Sequence, residues 1–113
     1  MKLITAIIHS DKLDIVREAL VRAKIERITV SRCAGRGREG EVDLYRGQVV
    51  LNPLIPRVRL EIACNDEFKD ITVKTIIEAA KEGDGKIGDG KIFVTNLEEC
   101  YRIRTGESGK EAI

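Results

Sequence analysis

The stretch Arg57-Val58-Arg59-Leu60-Glu61-Ile62-Ala63-Cys64 alternates charged and apolar side chains. A period of two is the mark of a strand with one face buried and one face wet. A chain committed to such a strand must find a sheet for its edges and a layer of helix for its apolar face. With 113 residues it has room for one domain. A domain of that size buries only part of its apolar surface, so association with further copies would help it.

The remaining segments supply the partners. Residues 3–9, with Leu3, Ile4, Ile7 and Ile8, read as a buried strand that stops at the cap-forming pair Ser10-Asp11. Over 11–24, Leu13, Val16, Leu20 and Ala23 recur at helical spacing between charged residues. A second strand is predicted over 27–33, where β-branched residues alternate before Gly35 and Gly37 break the pattern. Asn65-Asp66-Glu67 should cap a second helix running to about Glu82, with Phe68, Ile71, Thr75, Ile76 and Ala79 as its buried stripe. Lys91-Ile92-Phe93-Val94-Thr95 is the last strand. The order β-α-β-β-α-β predicts an α+β ferredoxin-like fold, a double βαβ unit whose antiparallel sheet carries both helices on one face. The other sheet face would be covered in a symmetric oligomer.

Between the second and third strands, residues 36–56 hold glycines and prolines with no sustained period, and read as a long irregular loop. Loops of this length inside compact domains usually carry function. The tip, from Gln48 to Pro56, is either a flap on its own body or an apolar finger for a partner protein, and length favours the finger.

Charge excludes some classes of function. The formal net charge is +1, from 20 basic and 19 acidic side chains, so no global field favours nucleic acid or an anionic membrane. Only four aromatics are present, which leaves an RNA-binding sheet without its stacking platform. The apolar N-terminal run is too short for a signal core or a membrane span, and Cys33, Cys64 and Cys100 show no paired spacing; a cytoplasmic protein with reduced thiols and no membrane insertion is expected. His9, alone at a strand end, has no acid or nucleophile at catalytic spacing, and no enzyme is expected.

The densest chemical signal is Gly83-Asp84-Gly85-Lys86-Ile87-Gly88-Asp89-Gly90-Lys91. Side-chain-free backbone can approach a polyphosphate and point N–H groups at it while lysines neutralise charge. Gly85 to Lys91 satisfies the spacing of a P-loop, yet Ile92 stands where magnesium needs Ser or Thr, and a strand follows in place of a helix, so this is no P-loop NTPase. A solvated Gly-Lys turn is the plain alternative. Arg102 and Arg104, alternate residues of an extended segment, would put two guanidiniums on one side for phosphate oxygens, or form a solvated basic edge. Gly35-Arg36-Gly37-Arg38-Glu39-Gly40 is a second glycine site of the same ambiguous kind.

Several of these segments together, namely Ala19-Leu20, Leu44-Tyr45-Arg46-Gly47, the run from Lys86 to Val94, the run from Arg102 to Glu107 and the closing Ala112-Ile113, resemble the PII signal-transduction proteins from end to end. The resemblance implies a homotrimer in which ATP and ADP compete for clefts between neighbours, with magnesium accompanying ATP. It also implies a protruding T-loop, about residues 36–56, that contacts a target enzyme or a membrane transporter, a phosphate-binding loop at about 83–91 and a C-terminal segment at about 98–113. Carried over by position, Gly88, Asp89, Gly90, Lys91, Arg102 and Arg104 would hold phosphates. Thr29 and the strand around Glu61, Ile62 and Ala63 would meet the adenine, and Ile7, Gly35, Gly37 and Arg38 would line the cleft. Tyr45, Arg46 and Val50 are the implied partner contacts, with Arg46 a candidate for channel occlusion.

Four positions depart from the family pattern. Glu39 replaces the glutamine that helps bind 2-oxoglutarate, next to an apparent one-residue deletion, and Arg57 replaces a lysine of the same effector site, whose third member is Gly88. A carboxylate at 39 could ligate magnesium but would repel a dianionic effector. Val50 occupies the place of the uridylylated tyrosine, and Gln48 that of a phosphorylated serine, so neither modification is expected there. The expectation is a PII-like regulator of nitrogen metabolism or transport. The alternative is a variant that senses adenylates or another small anion to regulate a transporter.

Overall fold

A computed structural model describes residues 1–37 and 53–113 in full, and 42–45 and 48–51 as backbone. Strands β1 (Lys2–His9), β2 (Thr29–Gly35), β5 (Ile55–Cys64) and β6 (Gly90–Asn96) form one sheet in the order β2-β5-β1-β6, every neighbour antiparallel. Helices α1 (Leu13–Arg22) and α2 (Lys69–Ala80), each led in by a 3-10 turn, join them in the predicted order, and the fold is the expected ferredoxin-like α+β. One element was not foreseen. Strands β3 (Val42–Tyr45) and β4 (Gln48–Leu51) pair as a separate two-stranded ribbon within 36–56, with Tyr45 opposite Gln48 and Asp43 opposite Val50. A four-residue strand is too short to show a period by itself; pairing with its partner makes it visible.

The period of two in β5 puts Val58, Leu60, Ile62 and Cys64 on the helix-covered face. Register places Ile4, Ala6 and Ile8 beside them, and Val16 and Leu20 of α1 and Ile76 of α2 close the core. Each fully buried Ile, Leu or Val contributes roughly 1.5–3 kcal/mol over its exposed state. The stripe of α1 is the predicted one, with Leu13 and Ala23 packed at its ends. That of α2 is corrected: Thr72, Ile76 and Ala80 are buried, Val73 and Ala79 flank them, and Phe68 and Ile71 lie on the exposed side. Thr72 can be buried because its hydroxyl donates to the Phe68 carbonyl at 2.7 Å, which satisfies its polar atom. That internal bond lets a polar residue take the core position that hydrophobicity alone assigns to Ile71.

The caps also differ from expectation. The His9 imidazole accepts the Asp11 amide at 3.2 Å, while the Asn65 side chain donates to the Lys110 carbonyl at 3.3 Å instead of capping the turn that follows it. Lys24 takes a left-handed conformation, φ 67°, one residue past the C-cap of α1, and Ile25 N–H closes onto Leu20 at 2.8 Å. Cys33, Cys64 and Cys100 are free thiols, and burial pushes that of Cys64 above its ordinary range. No helix among the described residues is long and apolar enough to cross a membrane.

Candidate functional site

The face of the sheet turned away from the helices is built by the other half of each strand's alternation. Register lays it out in rows: Thr29, Glu61, Thr5 and Phe93 in one, and Ser31, Arg59, Ile7 and Lys91 in the next. At the end of the sheet where β6 begins and β2 finishes, a cleft of about 700 Å³ opens. Its lining includes Ile7 from β1, Gly35 and Gly37 at the exit of β2, Arg57 from β5, and Gly88, Gly90 and Lys91 at the entry to β6. Seven residues named in the sequence, most of them through the family resemblance, thus share one cavity.

Arg36, Ile87 and Phe93 line the same cleft and were not picked out. Two of them carried a legible signal. Arg36 sits between the glycines already marked, and Phe93 falls two positions after Lys91 on a strand, hence on the same face.

Glycine at 90 is dictated by two demands. Its φ is 118°, a region that side chains avoid, and a Cβ there would lie 1.9 Å from the Ile7 carbonyl oxygen. The chain therefore enters β6 pressed against β1, and Lys91 emerges on the cleft side opposite Ile7. Gly88, with φ 102°, makes the turn before it. A pocket walled by backbone at glycines and flanked by Arg36, Arg57 and Lys91 suits an anion with several oxygens.

Other predicted residues fall elsewhere. Thr29 and Glu61 stand side by side on the outer sheet face, one row from the Ile7–Lys91 row, and Ala63 lies one row further. Ile62 is 2% exposed and points into the core, because it occupies the other phase of the alternation from Glu61 and Ala63; its main chain alone could meet a ligand. Asp89 does not line the cleft. Its carboxylate accepts the Lys86 amide at 2.8 Å and the Glu82 amide at 3.2 Å, and those bonds, the Lys86 one first, hold its pKa below the ordinary carboxylate value.

The reading of 102–104 as an extended segment is corrected. Arg102 N–H bonds the Glu107 carbonyl at 2.9 Å and Gly106 N–H bonds the Arg102 carbonyl at 2.7 Å, so the segment turns back on itself and Arg104 lies in the turn. The glycine at 106, φ 74°, permits the turn. The guanidinium of Arg102 meets Glu107 at 3.3 Å and the Glu111 carbonyl at 2.8 Å. This segment follows the end of β6 remote from the cleft; the seven residues of β6 span roughly 20 Å at the strand rise. Within one chain Arg102 and Arg104 are thus separated from the glycine cleft. Arg38, Glu39 and Arg46 lie outside the described residues, while Tyr45 and Val50 are placed by backbone in the β3-β4 ribbon. Among the described residues no cluster of three acidic, histidine or cysteine side chains could hold a metal ion.

Comparison with known proteins points one way. A family model described as nitrogen regulatory protein P-II matches residues 1–107. The chain is 47% identical over its whole length to nitrogen regulatory protein P-II 2 of Methanothermobacter thermautotrophicus, covering 97% of that protein. It is 47% identical to nitrogen regulatory protein P-II of Bradyrhizobium diazoefficiens, with both chains covered completely. Nitrogen regulatory protein GlnK1 of Methanosarcina mazei is 42% identical, with all of this chain and 97% of that one aligned.

Proposed function

The chain belongs to the nitrogen regulatory protein P-II family, a family of regulators, and from that premise we propose that it senses adenine nucleotides in the glycine cleft and reports them through residues 36–56. One observation carries the proposal. Both feet of the 36–56 excursion stand in the cleft, Gly35, Arg36 and Gly37 at its start and Arg57 just after its end. A ligand there touches both feet at once, and a ligand that contacts two loop arrangements unequally shifts the balance between them.

A polyphosphate is supported by the backbone that Gly88 and Gly90 present to the cleft and by the three flanking cations. When bound, the nucleotide supplies the charge and the γ-phosphate difference that distinguish ATP from ADP. The chain's residues supply the cradle: the loop amides and Lys91 orient the phosphates, and Ile7 and Phe93 give an apolar wall. Glu39 would be the oxygen ligand for magnesium brought in with ATP. The separation of Arg102 and Arg104 from the cleft supports a homotrimer in which a neighbouring copy brings them, with Thr29, Glu61 and Ala63, to complete each site. The ribbon holding Tyr45 and Val50, together with Arg46, would then meet a target enzyme or a membrane transporter in the cytoplasm.

A second reading keeps the nucleotide and drops 2-oxoglutarate, leaving an adenylate sensor for a transporter. It is favoured by Arg57, only 8% exposed in the cleft wall where the family pattern has a lysine. Calorimetric titration with ADP, then with ATP and magnesium, each with and without 2-oxoglutarate, tests both. Nucleotide binding strengthened by 2-oxoglutarate supports the first reading, by the reciprocity of linked binding. Binding indifferent to it supports the second, and no nucleotide binding overturns both.

A further inference from the structure

We infer that Asp89 is a positioning residue, whose carboxylate holds the glycine loop in its binding shape and does not itself contact the ligand. The inference rests on the proposed nucleotide site and deepens it. Gly88 and Gly90 line the 700 Å³ cleft while the residue between them does not. With φ of 102° and 118°, the two glycines let the chain present their backbone to the cleft and turn Asp89 out of it, into an adjoining recess of about 280 Å³ that it shares with Lys12, Glu82 and Lys86 and that meets the cleft at Arg57, Ile87 and Gly88.

There a single carboxylate oxygen, Oδ2, accepts both the Lys86 and the Glu82 amides, and the Asp89 amide returns a bond to the Lys86 carbonyl at 3.1 Å. The loop is closed on itself across seven residues. Its start is fastened to the turn before α1 by Lys12, whose ammonium lies 2.6 Å from Glu82. A negative side chain in the middle of an anion-binding loop is then no contradiction, because its charge is spent on the backbone amides of Glu82 and Lys86. What it supplies is preorganisation: a loop already shaped loses less freedom when the ligand binds.

The chemistry separates this role from a direct one. Since one oxygen takes both amides, the neutral side chain of Asn can replace it, whereas Ala cannot. D89N is expected to bind metal-free ADP within about threefold of the native chain, and D89A about tenfold or more weakly, the scale of one lost charge-assisted hydrogen bond. Amide hydrogen exchange at Lys86 should be slow in the native protein and in D89N and faster in D89A. A D89A protein with native ADP affinity, or a D89N protein as weak as D89A, would overturn the inference. The exchange measurement needs no ligand, so it decides the loop-holding role even if the native chain binds no ADP: unchanged Lys86 exchange in D89A refutes it.

Discussion

A methyl group at position 90 would sit 1.9 Å from the Ile7 carbonyl oxygen on a backbone of φ 118°, whereas at position 83, φ 56°, it would meet nothing within 4 Å. The two glycines therefore separate conformational freedom from space. G83A should cost about 1–2 kcal/mol, the ordinary penalty of a left-handed residue. G90A should cost more, of order 3 kcal/mol, because β6 must move away from β1, and urea unfolding of both variants checks the difference. Asp89 gives a pH dependence. Its acidity is strengthened in the fold, first by the Lys86 amide, so its contribution is present above the ordinary carboxylate pKa and is lost as pH falls through the lower, folded value. As pH falls through and below the ordinary carboxylate range, D89N should lose less stability than the native chain, measured by urea midpoints. Glycine positions and their turn were legible in the sequence. The turning of Asp89 out of the cleft was not, because it depends on which way the flanking glycines send the chain.

Among the elements, α1 and β5 were readable from their periods, since each buries one face, while β1 and β6 were readable only as short apolar, β-branched runs; in β6 only Ile92 is even partly buried. Helix α2 was readable as a helix but not in its rotation. Its exposed side carries Ile71 and Ile77, its buried side carries Thr72, and both stripes have helical spacing. Truncation distinguishes them: I76A should cost about 2–5 kcal/mol by opening a cavity, and I71A under about 1 kcal/mol, read from chemical denaturation. The ribbon of β3 and β4 escaped notice because its strands are short and joined to no other described strand.

At the scale of the whole molecule, the proposed site is larger than one chain. Arg102 and Arg104 leave the sheet at the end opposite the glycine cleft, and β6 itself spans the gap. If neighbouring copies complete each other's clefts, neither a K91A chain nor an R102A/R104A chain should bind ADP well alone. Unfolded together and refolded, the mixture should recover native-affinity sites in the minority of interfaces that pair an intact cleft with intact arginines. Calorimetry on the mixture measures that fraction, and its absence would place the arginines outside the site.

The sequence by itself determined the family, the order of the six main elements and the core faces of β5 and α1, because a period of two or 3.6 is local information and buried faces follow from it; β1 it marked only as apolar on both faces. It also marked the glycines and cations that line the cleft. Only the tertiary structure decided that Ile7, Gly35, Arg57 and Gly88 face one cavity, since antiparallel register brings together residues far apart in the chain. It decided too that Thr72 is buried, that Asp89 faces away, and that Arg102 is folded into a turn by Glu107. Each of these turns on a specific side-chain hydrogen bond, Thr72 to Phe68, Asp89 to Lys86 and Arg102 to Glu107, and such pairs leave no periodic trace in the sequence.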